Sequence, residues 1–188
     1  MADPLKQDER SALLIIDIQN DYFPGGKMEL EGADAAGARA NEALSSFRKS
    51  GQPIFHVRHL SVRPGATFFV PGTPGADIHE TVKPAAGETV VEKNFPNSFR
   101  NTPLDELLKK TGAKNLVVAG MMTHMCVDAT VRHAADAGYQ ITLLADACAT
   151  RAQTFRGETV AAKQVHAAFL AALSGLYANV QDTKEFLK

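Results

Sequence analysis

Short apolar runs recur along this chain, separated by longer amphipathic ones that each close on a glycine. That pattern leaves few folds open. Runs of about four to eight mostly hydrophobic residues suit strands buried on both faces, and the amphipathic stretches between them suit helices crossing from one parallel strand to the next. Strands are predicted over residues 12–17, 53–59, 89–92, 115–119, 140–145 and, with a weaker pattern, 178–181. Helices are predicted over 33–50, 103–110, 124–137 and 156–174, with Gly51, Gly112, Gly138 and Gly175 placed as left-handed C-terminal caps. Because such crossovers are right-handed almost without exception, the expected architecture is α/β: a three-layer α/β/α, doubly wound, mostly parallel six-stranded sheet of Rossmann-like type.

The 188 residues fit one domain, 1–188, with enough length to bury a substantial core. Formal net charge is -1 and the basic residues are scattered, which disfavours nucleic acid and anionic membrane surfaces as partners. Apolar stretches fall short of the ~20 residues a membrane span requires. The opening MADPLKQDERS lacks the build of a signal peptide, and two cysteines make no disulfide framework, so a cytoplasmic location is expected. Cys148 reads as a buried thiol without a role.

Residues 60–88 resist the alternation. They carry Pro64, Pro71, Pro74 and Pro84 with Gly65, Gly72, Gly75 and Gly87, so a long irregular excursion is expected. Loops of that length in compact domains are usually functional, and this one is expected to shape a pocket.

In a doubly wound sheet, ligands bind outside the carboxyl ends of the strands, near the point where strand order reverses. Three reactive side chains fit that rule. Asp17 closes the first predicted strand, Lys93 follows the third, and Cys126 lies just after the fourth, within GMMTHMCVDATVRHAADAG. Each has an ordinary reading alone: a turn-forming aspartate, a solvated lysine, a small buried hydrophobe. With Thr123 as N-cap, Cys126 would stand in the first turn of a helix, where unpaired amides and the macrodipole favour a thiolate. A lysine in a desolvated cleft would stabilise both an Asp17 carboxylate and that thiolate, and Asp17 could shuttle the proton.

From ALLIIDIQNDYFPGG through EKNFPNSFRNTPLDELL and LVVAGMMTHMCVDATVRHAADAGY to ITLLADACAT, the chain resembles the isochorismatase-like family of cysteine hydrolases over nearly its whole length. The resemblance implies a catalytic triad of Asp17, Lys93 and Cys126 that hydrolyses amides. It also implies a cis peptide between Met121 and Met122, and an oxyanion hole made by the backbone amides of Met122 and Cys126. True isochorismatases carry a glycine at the nucleophile's position, so Cys126 favours covalent amide chemistry over vinyl-ether cleavage. Nicotinamidases carry an Asp-x-His metal motif where this chain reads His59, Leu60, Ser61. That departure disfavours both a metal and nicotinamide as substrate. Family members are commonly homo-oligomers, so a dimer or tetramer is expected.

No metal or other cofactor is expected. His56 and His59, three apart on a strand, point to opposite faces and do not share an ion. His79 is assigned to fixing the long loop, and His124, His133 and His166 to packing. Tyr22, Phe23 and Phe95 are placed to line a substrate pocket, with Phe68 and Phe69 as substrate contacts or interface residues and Met121, Met122 and Met125 as an adaptable floor. The resulting expectation is a cysteine-dependent hydrolase of an amide, ureido or carbamoyl bond in a small non-peptide substrate, through a thioester. Vinyl-ether hydrolysis of an isochorismate-like substrate is the alternative, with a nicotinamidase, a nucleotide-binding module or a non-catalytic scaffold behind it. Neither GxGxxG after the first strand nor GxxxxGK[ST] occurs.

Overall fold

The computed structural model describes residues 11–188. The expectation drawn from the first ten residues lies outside this range. In chain order the strands are β1 (Ser11–Ile16), β2 (Ile54–His59), β3 (Thr89–Lys93), β4 (Asn115–Met121), β5 (Gln140–Ala149), β6 (Gln153–Phe155), β7 (Glu158–Val160) and β8 (Asn179–Gln181). The helices are α1 (Ala33–Ser50), α2 (Leu104–Thr111), α3 (Asp128–Asp136), α4 (Ala162–Leu173) and α5 (Thr183–Phe186). Six strands form one parallel sheet in the order β3-β2-β1-β4-β5-β8, and β6 and β7 form a separate antiparallel hairpin.

Side-chain alternation on β1 divides the core in two. Leu13 and Ile15 pack with Ala36, Ala40, Leu44 and Phe47 of α1 on one face. Ala12, Leu14 and Ile16 pack with Leu104 and Leu108 of α2, Val131 of α3 and Leu173 of α4 on the other. Every β1 residue is buried, which is why this strand reads as an unbroken apolar run. No helix among the described residues is long and apolar enough to cross a membrane.

Strand order reverses between β1 and β4, and Gly120 allows the two to meet closely there. Its φ is +150°, and an added Cβ would lie 2.2 Å from the Ile16 carbonyl oxygen. Past this point β4 and β5 lose their simple register: Val118 faces Leu143 whereas Gly120 faces Cys148, so β5 bows out over the intervening residues.

Two predicted helices are corrected. The one expected over 156–174 begins at Ala162, because the preceding residues form the β6–β7 hairpin. Arg156 and Gly157 at its tip both have positive φ, 50° and 84°, the signature of a tight two-residue hairpin turn. The helix expected over 124–137 is α-helical only from Asp128. Thr123–Val127 form a π-helical turn in which the Val127 amide reaches back to the Met122 carbonyl at 3.3 Å. Thr123 is consequently not the cap. Its hydroxyl bonds the Ala149 carbonyl at 3.2 Å and His166 Nδ1 at 2.9 Å, tying the turn to β5 and α4.

The two histidines of β2 diverge as expected. His56 is buried and bonds Glu88 at 2.8 Å through Nε2. Glu88 also accepts from Arg48 of α1 at 2.7 and 2.9 Å and from the Ala85 amide at 2.8 Å, joining the end of α1 to the entry of β3. The Arg48 hydrogen bond, working against partial burial and helped by Ala85 and His56, lowers the Glu88 pKa from 4.5 to about 2. Because the folded value is the lower one, this stabilisation is complete above pH 4.5 and is lost as pH falls through 2. Glu88→Gln is expected to cost on the order of 2 kcal/mol at neutral pH and to flatten the acid limb of the stability profile. Urea titrations at pH 7 and pH 3 measure both effects.

Candidate active site

The strand order β3-β2-β1-β4 sets Lys93, His59, Asp17 and the Gly120–Met121 end of β4 side by side along one edge of the sheet. His59 is in register with Lys93, and the Asp17 amide donates to Val57 of β2 at 3.0 Å. Asp17 follows β1 with φ +50°, a left-handed conformation that ends the strand. The π-helical turn after β4 brings Cys126 over the same edge, and the peptide between Met121 and Met122 is cis.

Asp17, Lys93 and Cys126 are all buried, at 0%, 2% and 3% exposure. Lys93 Nζ donates to Asp17 Oδ2 at 2.7 Å and to the Phe95 carbonyl at 3.1 Å, and meets His59 Nδ1 at 2.9 Å. An ammonium has no acceptor, so the His59 contact requires Nδ1 to accept, which assigns neutral His59 its proton on Nε2. All three ammonium hydrogens are then used. Cys126 Sγ lies 3.9 Å from the same Nδ1. Asp17 Oδ1 is buried with no hydrogen-bond partner, which leaves a carboxylate oxygen open to a thiol proton or a bound molecule.

The electrostatics favour an ion pair beside a neutral thiol. Burial alone would raise the Asp17 pKa, but the Lys93 ammonium outweighs it and holds the carboxyl below its usual range. Burial would lower the Lys93 pKa, but Asp17 and Cys126 hold it above its usual range. For Cys126, burial followed by the Asp17 carboxylate pushes the thiol well up, with Lys93 opposing. These directions run against the expected thiolate, because the positive charge nearest the sulfur is already matched by Asp17 and burial adds to its effect. Cys148, buried in β5, is pushed up to about 12 by the same burial.

His59 is the member of this cluster that the chain pattern did not disclose. Its signal was present, because the strand lying between those of Asp17 and Lys93 must end beside both. Asp17, His59 and Cys126 offer atoms within 4.8 Å of one another, a donor set of the kind that binds Zn²⁺. Lys93 Nζ stands within bonding distance of two of the three, so the cation held here is an ammonium.

A cavity of about 370 Å³ opens above Cys126, walled by Tyr22, His59, Asn94, Pro96, Met122, Met125 and residues 61–68. The long excursion thus supplies one side of the pocket. Of the aromatic residues placed there from sequence, Tyr22 lines it, whereas Phe23 and Phe95 are not among its lining residues. The Phe23 ring stacks on His79 at 3.4 Å between centroids, and the Phe95 ring lies under Arg100 at 3.8 Å. Phe68 lines the cavity, but Phe69 is fully buried and packs on Tyr22, so it is neither substrate contact nor interface. Met121 is fully buried and is not among the lining residues. His124 and His133 bond Thr150 and Asn97 respectively, with His133 stacked on Phe99.

A sequence model of the isochorismatase domain matches residues 11–185. The chain belongs to the isochorismatase family. It is 52% identical over 178 residues to the isochorismatase family protein YddQ of Bacillus subtilis (strain 168), covering 95% of this chain and 99% of that one. Its structure matches that of an isochorismatase-type hydrolase of Oleispira antarctica with a TM-score of 0.92 and 47% identity, over 97% and 98% of the two chains. Streptothricin hydrolase of Streptomyces noursei is 36% identical over 139 residues, 74% of this chain and 54% of that one. Isochorismatase-family relatives of this chain are thus hydrolases, and the three-layer parallel-sheet fold is theirs.

Lys93→Met would leave the Asp17 carboxylate buried and unpaired, and it is expected to cost about 3–5 kcal/mol in urea unfolding. Adding Asp17→Asn should restore part of that loss. His59→Leu, which strands one ammonium hydrogen, is expected to cost about 1–3 kcal/mol, and His59→Gln, whose amide oxygen can accept it, less.

Proposed function

We propose that this protein is a cysteine-dependent hydrolase of carbon–nitrogen bonds in small non-peptide amide, ureido or carbamoyl substrates, acting through a thioester on Cys126. The observation that carries this reading is the buried 2.7 Å Asp17–Lys93 ion pair set against a thiol at the foot of a small-molecule cavity. The hydrolase relatives support it, streptothricin hydrolase among them.

Asp17 Oδ1 takes the thiol proton as sulfur attacks the carbonyl carbon. The transfer turns carboxylate plus thiol into carboxylic acid plus thiolate, so the cluster's net charge does not change and Lys93 faces one negative neighbour before and after. No new charge has to be desolvated, which is how a neutral thiol of high pKa can still serve as nucleophile. The oxyanion is assigned to the backbone amides of Met122 and Cys126, where loss of one donor typically costs ~2.7–4 kcal/mol. The carbonyl reforms as the C–N bond breaks, and protonated Asp17 gives its proton to the departing nitrogen. Water, deprotonated by Asp17, then attacks the thioester. The carboxylic acid product leaves and the thiolate recovers its proton from Asp17. In this scheme His59 acts through Lys93, holding the ammonium between carboxylate and sulfur.

Ammonia release from a panel of small amides, ureides and carbamoyl compounds tests the proposal. Cys126→Ala is expected to fall by at least about a thousandfold, and rapid quenching of the wild type should give an acyl mass on Cys126. Equal turnover by wild type and variant would exclude covalent catalysis. Cleavage of a vinyl ether that survives Cys126→Ala would favour the isochorismate-type reaction instead.

A further inference from the structure

The cavity over Cys126 is electrically one-sided. Behind its His59 and Cys126 lining the charges of Asp17 and Lys93 cancel at 2.7 Å, and His59 is neutral in the tautomer its bond to Lys93 requires. None of the described lining residues is acidic, and Arg63 is the lining side chain that carries a permanent charge. Much of the remaining wall is apolar, including Tyr22, Phe68, Pro96, Met122 and Met125. A molecule entering therefore meets a hydrocarbon-lined space with a single uncompensated cation on one side.

Arg63 also stands apart from every other described arginine. Arg39, Arg48, Arg58 and Arg132 are paired with carboxylates, Arg100 and Arg156 lie over phenyl rings, and Arg151 reaches the Met28 sulfur. Among the described residues the Arg63 guanidinium, carried by an exposed residue, has no such partner, so its donors are open to water or to a ligand. The backbone that carries it is nonetheless fixed. The Ala66 amide closes back on the Arg63 carbonyl at 3.1 Å, with Pro64 and Gly65 between them and Gly65 at φ +79°, the arrangement of a type II turn. The Ser61 amide bonds the Phe69 carbonyl at 2.9 Å, and the Phe69 amide is held by Asp21 Oδ2 at 2.6 Å, which anchors both ends of the segment. A fixed turn presenting an unpaired planar fork is suited to two parallel hydrogen bonds with a carboxylate.

We propose that Arg63 binds a carboxylate on the substrate, so that the preferred substrates are small amide, ureido or carbamoyl compounds bearing an acid group away from the scissile bond. This rests on the hydrolase reading for the bond that is cleaved, but not for the anion that is bound. The cavity, at about 370 Å³, lies at the lower end of the range of small-molecule sites, which fits a short chain between the two groups.

Binding to the Cys126→Ala protein isolates recognition from turnover. Succinamate and N-carbamoyl-β-alanine, each beside its methyl ester, are titrated calorimetrically into Cys126→Ala and into the same protein carrying Arg63→Gln or Arg63→Lys. The acids are expected to bind at least about tenfold more tightly than the esters, with the preference abolished by Arg63→Gln, partly kept by Arg63→Lys and weakened by added salt. Acids that bind no better than esters, or a preference that survives Arg63→Gln, would overturn the assignment. Ammonia release by the wild type separates the two readings. Acids held through Arg63 but never cleaved would support the anion site and count against C–N hydrolysis, whereas esters cleaved as efficiently as acids would count against the anion site and leave the hydrolase reading standing.

Discussion

The organisation of the site depends on one ion pair, Asp17 with Lys93, removed from water at the carboxyl edge of the sheet. Two charges buried at 2.7 Å cost less the more of their remaining hydrogen-bonding capacity is met. That of the ammonium is met through Asp17, His59 and the Phe95 carbonyl, while one carboxylate oxygen is left open. The tautomer of His59 follows from this saturation, and so does the state of Cys126. A sulfur beside a neutralised pair feels little net field, so burial favours the protonated form.

The pair itself is a product of topology. Lys93 ends β3 and Asp17 follows β1, with β2 between them, and a long flexible side chain is required to cross that strand. The reversal of strand order between β1 and β4 opens the crevice into which the turn carrying Cys126 descends. Gly120 permits the close approach, since any side chain there would collide with the backbone of Ile16. Behind the turn, Thr123 fastens it to β5 and α4, so the sulfur is positioned by tertiary contacts.

Legibility in the sequence followed the range of the forces involved. Asp17, Lys93 and Cys126 could be nominated because each sits next to an apolar strand, a relation visible within a few residues. Tyr22 lines the cavity whereas Phe23 and Phe95 do not, since nothing local distinguishes a ring facing a cavity from one stacked on His79 or lying beneath Arg100. The tip and second strand of the hairpin, Glu158–Val160, fell within a stretch read as helix, although the Arg156–Gly157 pair carried a turn signal. His59 was considered only as a metal ligand alongside His56, and the correct observation that the two face apart concealed what His59 does alone.

The amino-acid order by itself determined the layered α/β architecture, the approximate elements and the placement of Asp17, Lys93 and Cys126 beside strand ends, because burial on two faces and helical amphipathicity are written into short windows of residues. Only the tertiary structure decided that His59 joins the cluster, that Cys126 lies buried in a π-helical turn, and that Arg63 alone among the described arginines is left unpartnered at a cavity wall. Those outcomes depend on strand order and on the desolvation of charges, which arise from groups far apart in the chain and have no counterpart in its local pattern.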